Sequence, residues 1–112
     1  MLSPRCYQIS RALRLLAEAR IGRMVTIENA ELIRAALAAE NRRAQTAAGA
    51  GVGPVTVALR ASTFLARGMS PPKLMLAAAV TELHRLLHGD EELAKEVRRM
   101  ETDAICGRGE WL

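Results

Sequence analysis

The stretch Pro54-Val-Thr-Val-Ala-Leu-Arg-Ala-Ser-Thr-Phe-Leu-Ala-Arg-Gly68 is bounded by the two residues that most often punctuate a helix. A proline is tolerated at the first helical position, where its missing N–H would have had no partner, and a glycine supplies the left-handed conformation that ends a helix. Between them Val57, Ala58, Ala61, Phe64 and Leu65 recur with a 3.6-residue period and gather on one side. Thr56, Arg60, Thr63 and Arg67, at spacings of four, three and four, line the other side. The pattern predicts an amphipathic helix from Pro54 to Arg67 that buries its apolar face and turns two guanidinium groups and two hydroxyls outward.

The same reading extends in both directions. Upstream, Ser3 and Pro4 can open a helix reaching Arg20, with Cys6, Ile9, Leu13 and Leu16 as its apolar stripe and Tyr7, Arg11, Arg14 and Glu18 opposite. Gly22 then ends it. After the short apolar connector from Met24 to Ile27, Thr26 or Asn29 can cap a second helix to about Ala47, with Leu32, Ile33, Ala36 and Leu37 inward. Glu40 lies near that inward side and is expected to reach Arg43. Downstream, Ser70, Pro71 and Pro72 start a fourth helix that buries Leu76, Val80, Leu83 and Leu87 and stops at His88 or Gly89. Asp90, Glu91 and Glu92 favour the N-terminus of a fifth, whose stripe is Leu93, Val97, Met100 and Ala104. Nothing alternates with period two over a strand's length, and no repeat emerges. The expected fold is all-α, a compact bundle of about five amphipathic helices. It forms one domain over residues 1–112, with a glycine-rich linker at 48–53 and a frayed tail at 107–112.

At 112 residues a chain can bury roughly two-thirds of its unfolded surface around a single core. Half of the residues are hydrophobic, yet Tyr7, Phe64 and Trp111 are the only aromatics, so the core is expected to be thin and aliphatic. The longest apolar run, Leu74 to Val80, is too short to span a bilayer, and no secretory leader pattern opens the sequence. A cytoplasmic protein with reduced thiols is expected, since Cys6 and Cys106 lie near opposite ends with no CxxC spacing.

Charge is distributed unevenly. No Asp or Glu occurs between Glu40 and Glu82, while Arg42, Arg43, Arg60, Arg67 and Lys73 fall inside that gap. Residues 1–73 carry eleven Lys/Arg against four Glu, and residues 74–112 carry five against eight Asp/Glu. Fourteen of the sixteen cationic residues are Arg, whose planar fork suits phosphate or carboxylate. A phosphate partner and a GC-rich coding bias, which would also enrich Ala and Gly, both account for that excess.

The Thr56, Arg60, Thr63 and Arg67 stripe offers donors suited to a phosphate backbone. Arg42, Arg43 and Lys73 extend it if the second and fourth helices flank the third, and Arg11 with Arg14 forms a second basic patch offset by Glu18. The competing reading is a solvated face whose arginines pair with the acidic fifth helix. Sequence-specific major-groove reading is disfavoured, because a recognition helix beginning near Leu74, Met75 and Leu76 would present aliphatic side chains to base edges.

Enzyme chemistry finds no constellation. Gly49, Gly51 and Gly53 lack the preceding strand and the Gly-Lys-Ser/Thr ending of a phosphate loop. His84 and His88 are four apart but enclose no glutamate and sit among cations, so no metal and no cofactor is expected. Trp111, tethered by Gly107 and Gly109, is a candidate aromatic anchor on a partner or a second copy, or else folds back on its own core.

Two functions remain in contention. One is a non-enzymatic nucleic-acid-binding protein, weakly sequence-specific, contacting a phosphate backbone as a small subunit of a larger assembly. In size, helicity and basic charge the chain is similar to the small helical subunits that line the nucleic acid in CRISPR effector complexes, a likeness carried by no motif and transferring no residue. The other is a protein-interaction module, a regulator, inhibitor or adaptor of viral or plasmid kind, that docks its basic face on an acidic protein surface.

Overall fold

The structure is a computed structural model that describes residues 4–48 and 54–105, with side chains over 4–43 and 54–99. Among the described residues five helices follow one another: α1 (Pro4–Arg20), α2 (Ile27–Ala48), α3 (Thr56–Ala66), α4 (Lys73–His88) and α5 (Glu91–Ile105). The described chain is an all-α bundle without strands, as the periodicity predicts.

α1 is the central post. Among the described residues it packs against every other helix, whereas α5 touches only α1 and α4. Cys6, Ile9, Ala12, Leu15 and Leu16 of α1 meet Ile33 and Leu37 of α2, Ala58 and Ala61 of α3, Leu76 and Leu83 of α4, and Leu93 and Val97 of α5 in one core. Because α1 is surrounded, its buried face is wider than the predicted stripe. Ser10, Ala12 and Leu15 are also buried, and Arg11, Arg14 and Glu18 are half-buried rather than fully outward. Alanines at 12, 30, 58, 61 and 79 are completely buried and let neighbouring backbones approach closely.

α2 and α3 run antiparallel. Near one end the Val55 amide donates to Asn41 Oδ1 at 2.9 Å; at the other a Cβ placed on Gly68 would lie 3.6 Å from Ile27 Cδ1. Gly22 and Gly68 end α1 and α3 with φ of +85° and +72°. Each turn closes with paired bonds, Arg23 N–H to the Glu18 carbonyl and Gly22 N–H to Ala19 in the first, Met69 N–H to Phe64 and Gly68 N–H to Leu65 in the second. These satisfy carbonyls that the helix end leaves over.

Several expected boundaries and orientations are corrected. Thr26, not Asn29, caps α2, its Oγ1 accepting from the Asn29 amide at 3.2 Å. Ala48 still belongs to α2, so only 49–53 of the expected linker is left, and it lies outside the described residues, as do the tail at 107–112 and Trp111. α3 begins at Thr56 rather than Pro54, because Val55 (ψ 36°) takes the cap position. α4 begins at Lys73, with Pro72 as its cap residue. Leu32, expected inward, is 55% exposed, and the inward face of α2 runs instead through Ala30, Ile33, Leu37, Glu40 and Asn41. Cys6 is fully buried on α1; burial, reinforced by the charge of Glu96, holds its thiol above the usual range.

Candidate nucleic-acid interface

α3 has no side chain of its own to cap its first turn. The start of the helix is instead held from both sides: Asn41 of α2 accepts from Val55 N–H, and Glu82 of α4 accepts from Val57 N–H at 3.1 Å and Ala58 N–H at 2.8 Å. A carboxylate at this position answers both the unpaired amides and the positive end of the helix. The rotation of α3 is thereby fixed, with Ala58, Ala61 and Ser62 inward and Arg60 and Arg67 exposed.

The spacing of Arg60 and Arg67 corresponds to about 10 Å along the helix axis. Among the described residues, no carboxylate lies within ion-pair distance of either guanidinium, and α5 with its acidic side chains packs on α1 and α4 rather than on α3. The two threonines of the stripe are half-buried. Thr63 donates its hydroxyl hydrogen to the Leu59 carbonyl at 2.8 Å, which leaves it an acceptor toward solvent, and Thr56 is engaged within the fold.

The remaining basic residues are distributed over different surfaces. Lys73 is exposed at the first turn of α4, past the Gly68 turn, and Arg42 is exposed near the end of α2. Arg43 reaches Glu40 Oε1 at 2.9 Å, as expected from sequence. Arg11 and Arg14 line a small hollow of about 270 Å³ between α1 and α2, where Arg14 Nε donates to Glu18 Oε1 at 3.2 Å. His84 and His88 are both exposed on α4, and no group of three potential metal ligands forms among the described residues.

Sequence reasoning missed Arg5. Its Nη2 pairs with Glu40 Oε1 at 2.6 Å and its Nη1 with Asp90 Oδ2 at 2.6 Å, so one guanidinium ties α1 to α2 and to the α4–α5 corner. Asp90 also caps α5, accepting from Leu93 N–H at 3.1 Å. Burial alone would raise the carboxyl of Glu40, but hydrogen bonds from Arg5 and Arg43 outweigh it and hold the group below its ordinary range. The Leu93 amide and then Arg5 hold Asp90 low as well. This cluster is structural and neutralises Arg43, whereas α3 keeps its cations outward.

Arg20 and Arg23 form a pair that no helical stripe in the sequence marks. They flank Gly22, and with Lys73 they border an open groove of about 830 Å³ between the α1–α2 and α3–α4 turns. The available signal was the connector itself, whose Ile21 and Met24 belong to no helical stripe.

Among the described residues, no helix is long and apolar enough to cross a membrane. Comparison with protein-family models, with curated proteins and with solved structures yields no match to this chain.

Proposed function

We propose that the protein is a non-enzymatic nucleic-acid-binding subunit that holds a phosphate backbone on the polar face of α3, inside the cell and within a larger nucleoprotein assembly. The observation that carries this reading is the outward, unneutralised pair Arg60 and Arg67, set in a stretch from Asn41 to Thr81 without an acidic residue. Desolvated pairing within the fold would have consumed these charges. Left exposed, they attract a polyanion and release its counterions on binding. Thr56 and Thr63 share that helix with the pair; Lys73, Arg42 and Arg11 stand on other surfaces and would add general attraction, as would Arg14 and Arg43 to a degree reduced by Glu18 and Glu40. Phosphate contacts position without reading bases, so binding should be weakly sequence-specific, and a few contacts per copy require repeated copies for useful affinity.

Fluorescence anisotropy with unrelated DNA and RNA oligomers over a salt series tests the reading. Affinity should fall steeply with salt, and Arg60→Ala with Arg67→Ala should lower the log–log slope by about 0.9 per lost contact on duplex DNA, or about 0.7 on single strands. Absence of binding to both polymers at low salt would refute it and leave the basic face to an acidic protein surface.

A further inference from the structure

The groove between the α1–α2 turn and the α3–α4 turn combines two features that no contact among the described residues consumes. Its lips carry large apolar side chains in water: Met24 is 93% exposed, Ile21 69%, Ile27 51% and Met69 51%. Its floor is apolar too, formed by Val25, Leu65 and Leu76. Its border is cationic. Arg20, Arg23 and Lys73 line it, no Asp or Glu does, and among the described residues none of the three has an ion-pair partner. The groove opens at the end of the bundle where α1 and α3 terminate, and shares only Lys73 with the residues assigned to phosphate contact.

From this we infer that the groove docks an acidic amphipathic helical segment of a partner protein, independently of nucleic-acid binding by α3. Four large apolar side chains exposed around one groove are a cluster rather than singly scattered exposure, which is the pattern of an interaction surface. Methionine lips suit the apolar stripe of a helix, because an unbranched, polarisable thioether adapts to side chains of different shape. Three cations without a carboxylate among them select a segment with negative charges beside its apolar stripe. A nucleic-acid backbone would satisfy the border but leave the apolar lips in water. A lipid surface is flat and would not fill the concavity. A second copy has an acidic amphipathic helix in α5, but Leu93 and Val97 of that helix are already buried in its own core.

Selection from a displayed library of random peptides about sixteen residues long, against the full-length protein, tests this directly. Convergence is expected on Asp and Glu with large apolar residues at helical spacing. The consensus peptide should bind at least about tenfold more tightly than its scrambled counterpart. Amide shifts in the protein should be confined to 19–27 and 65–76. Met24→Glu with Met69→Glu should weaken the peptide at least about tenfold, while Arg60→Ala with Arg67→Ala leaves it unchanged. Both methionines are largely exposed, so thermal unfolding should be unaltered; if it is altered, Arg20→Ser with Arg23→Ser provides the equivalent loss. Four results would overturn the proposal: no convergence, selection of basic peptides, Met24-dependent sedimentation with phosphatidylglycerol vesicles in place of peptide binding, or a dimer that Met24→Glu dissociates.

Discussion

Arg5 joins three parts of the bundle, bonding Glu40 of α2 and Asp90 at the start of α5 from its place on α1. It supplies a buried glutamate with its principal counter-charge and reaches across to the cap of α5, so its removal acts in two places. Glu40 is 6% exposed and would be left with Arg43 alone, itself largely in solvent. Arg5→Ala is expected to destabilise the protein by about 1–3 kcal/mol, the usual penalty for an under-satisfied buried polar or charged group. The pH dependence follows from the carboxylates. Both Glu40 and Asp90 are held below their ordinary values in the folded state, so the unfolded chain binds their protons first as acid is added. Their contribution is complete above the unfolded values near ~4 and disappears as pH falls through the lower folded ones. Denaturant midpoints measured as a function of pH should be level to about pH 5 and decline below about pH 4, and Arg5→Ala should flatten that decline. The short-range part of this cluster was legible in sequence, since Glu40 and Arg43 are three apart on one helix. Arg5 was not, because thirty-five residues separate it from Glu40 and no periodicity encodes their meeting.

Helix ends show the same division at the scale of elements. Gly22 and Gly68 were readable because a left-handed backbone has few suitable occupants, and both stand at positive φ. The start of α3 is not legible from Pro54, a generic opening signal, because the actual first turn is set by acceptors from two other helices. The facing of α2 failed for a related reason. Its inward row, Ala30, Ile33, Leu37, Glu40 and Asn41, ends in polar residues that are buried because they have partners, and an apolar-only pattern drifts toward Leu32 instead. Glu82 is therefore a structural residue of the third helix although it resides on the fourth. Glu82→Ala should leave the Val57 and Ala58 amides without acceptors and cost about 1–2 kcal/mol, in the range of a lost N-cap. Glu82→Gln, which keeps one oxygen acceptor, should lose less. Thermal denaturation of the two variants checks the order, and amide hydrogen exchange should localise the added opening to the first turn of α3.

For the whole molecule, the question is whether net charge or arrangement governs polyanion binding. A formal charge of +4 would attract nucleic acid through any cation alike, and on that view two arginines removed anywhere weaken binding equally. The arrangement makes a different claim. Arg14 and Arg43 each lie against a glutamate on their own helix, while among the described residues α5, the acidic element, packs only on α1 and α4 and not on the polar face of α3. Arg14→Ala with Arg43→Ala therefore removes the same two charges as Arg60→Ala with Arg67→Ala but releases Glu18 and Glu40 from them. The first pair should leave the dependence of log affinity on log salt nearly unchanged and lower the unfolding midpoint, because Glu40 loses a hydrogen bond. The second should reduce the slope by about 1.4–1.8, corresponding to two phosphate contacts, with little change in stability. Equal slopes for the two variants, measured on one oligomer under the same conditions, would show that composition alone attracts the polymer and that α3 is not a site.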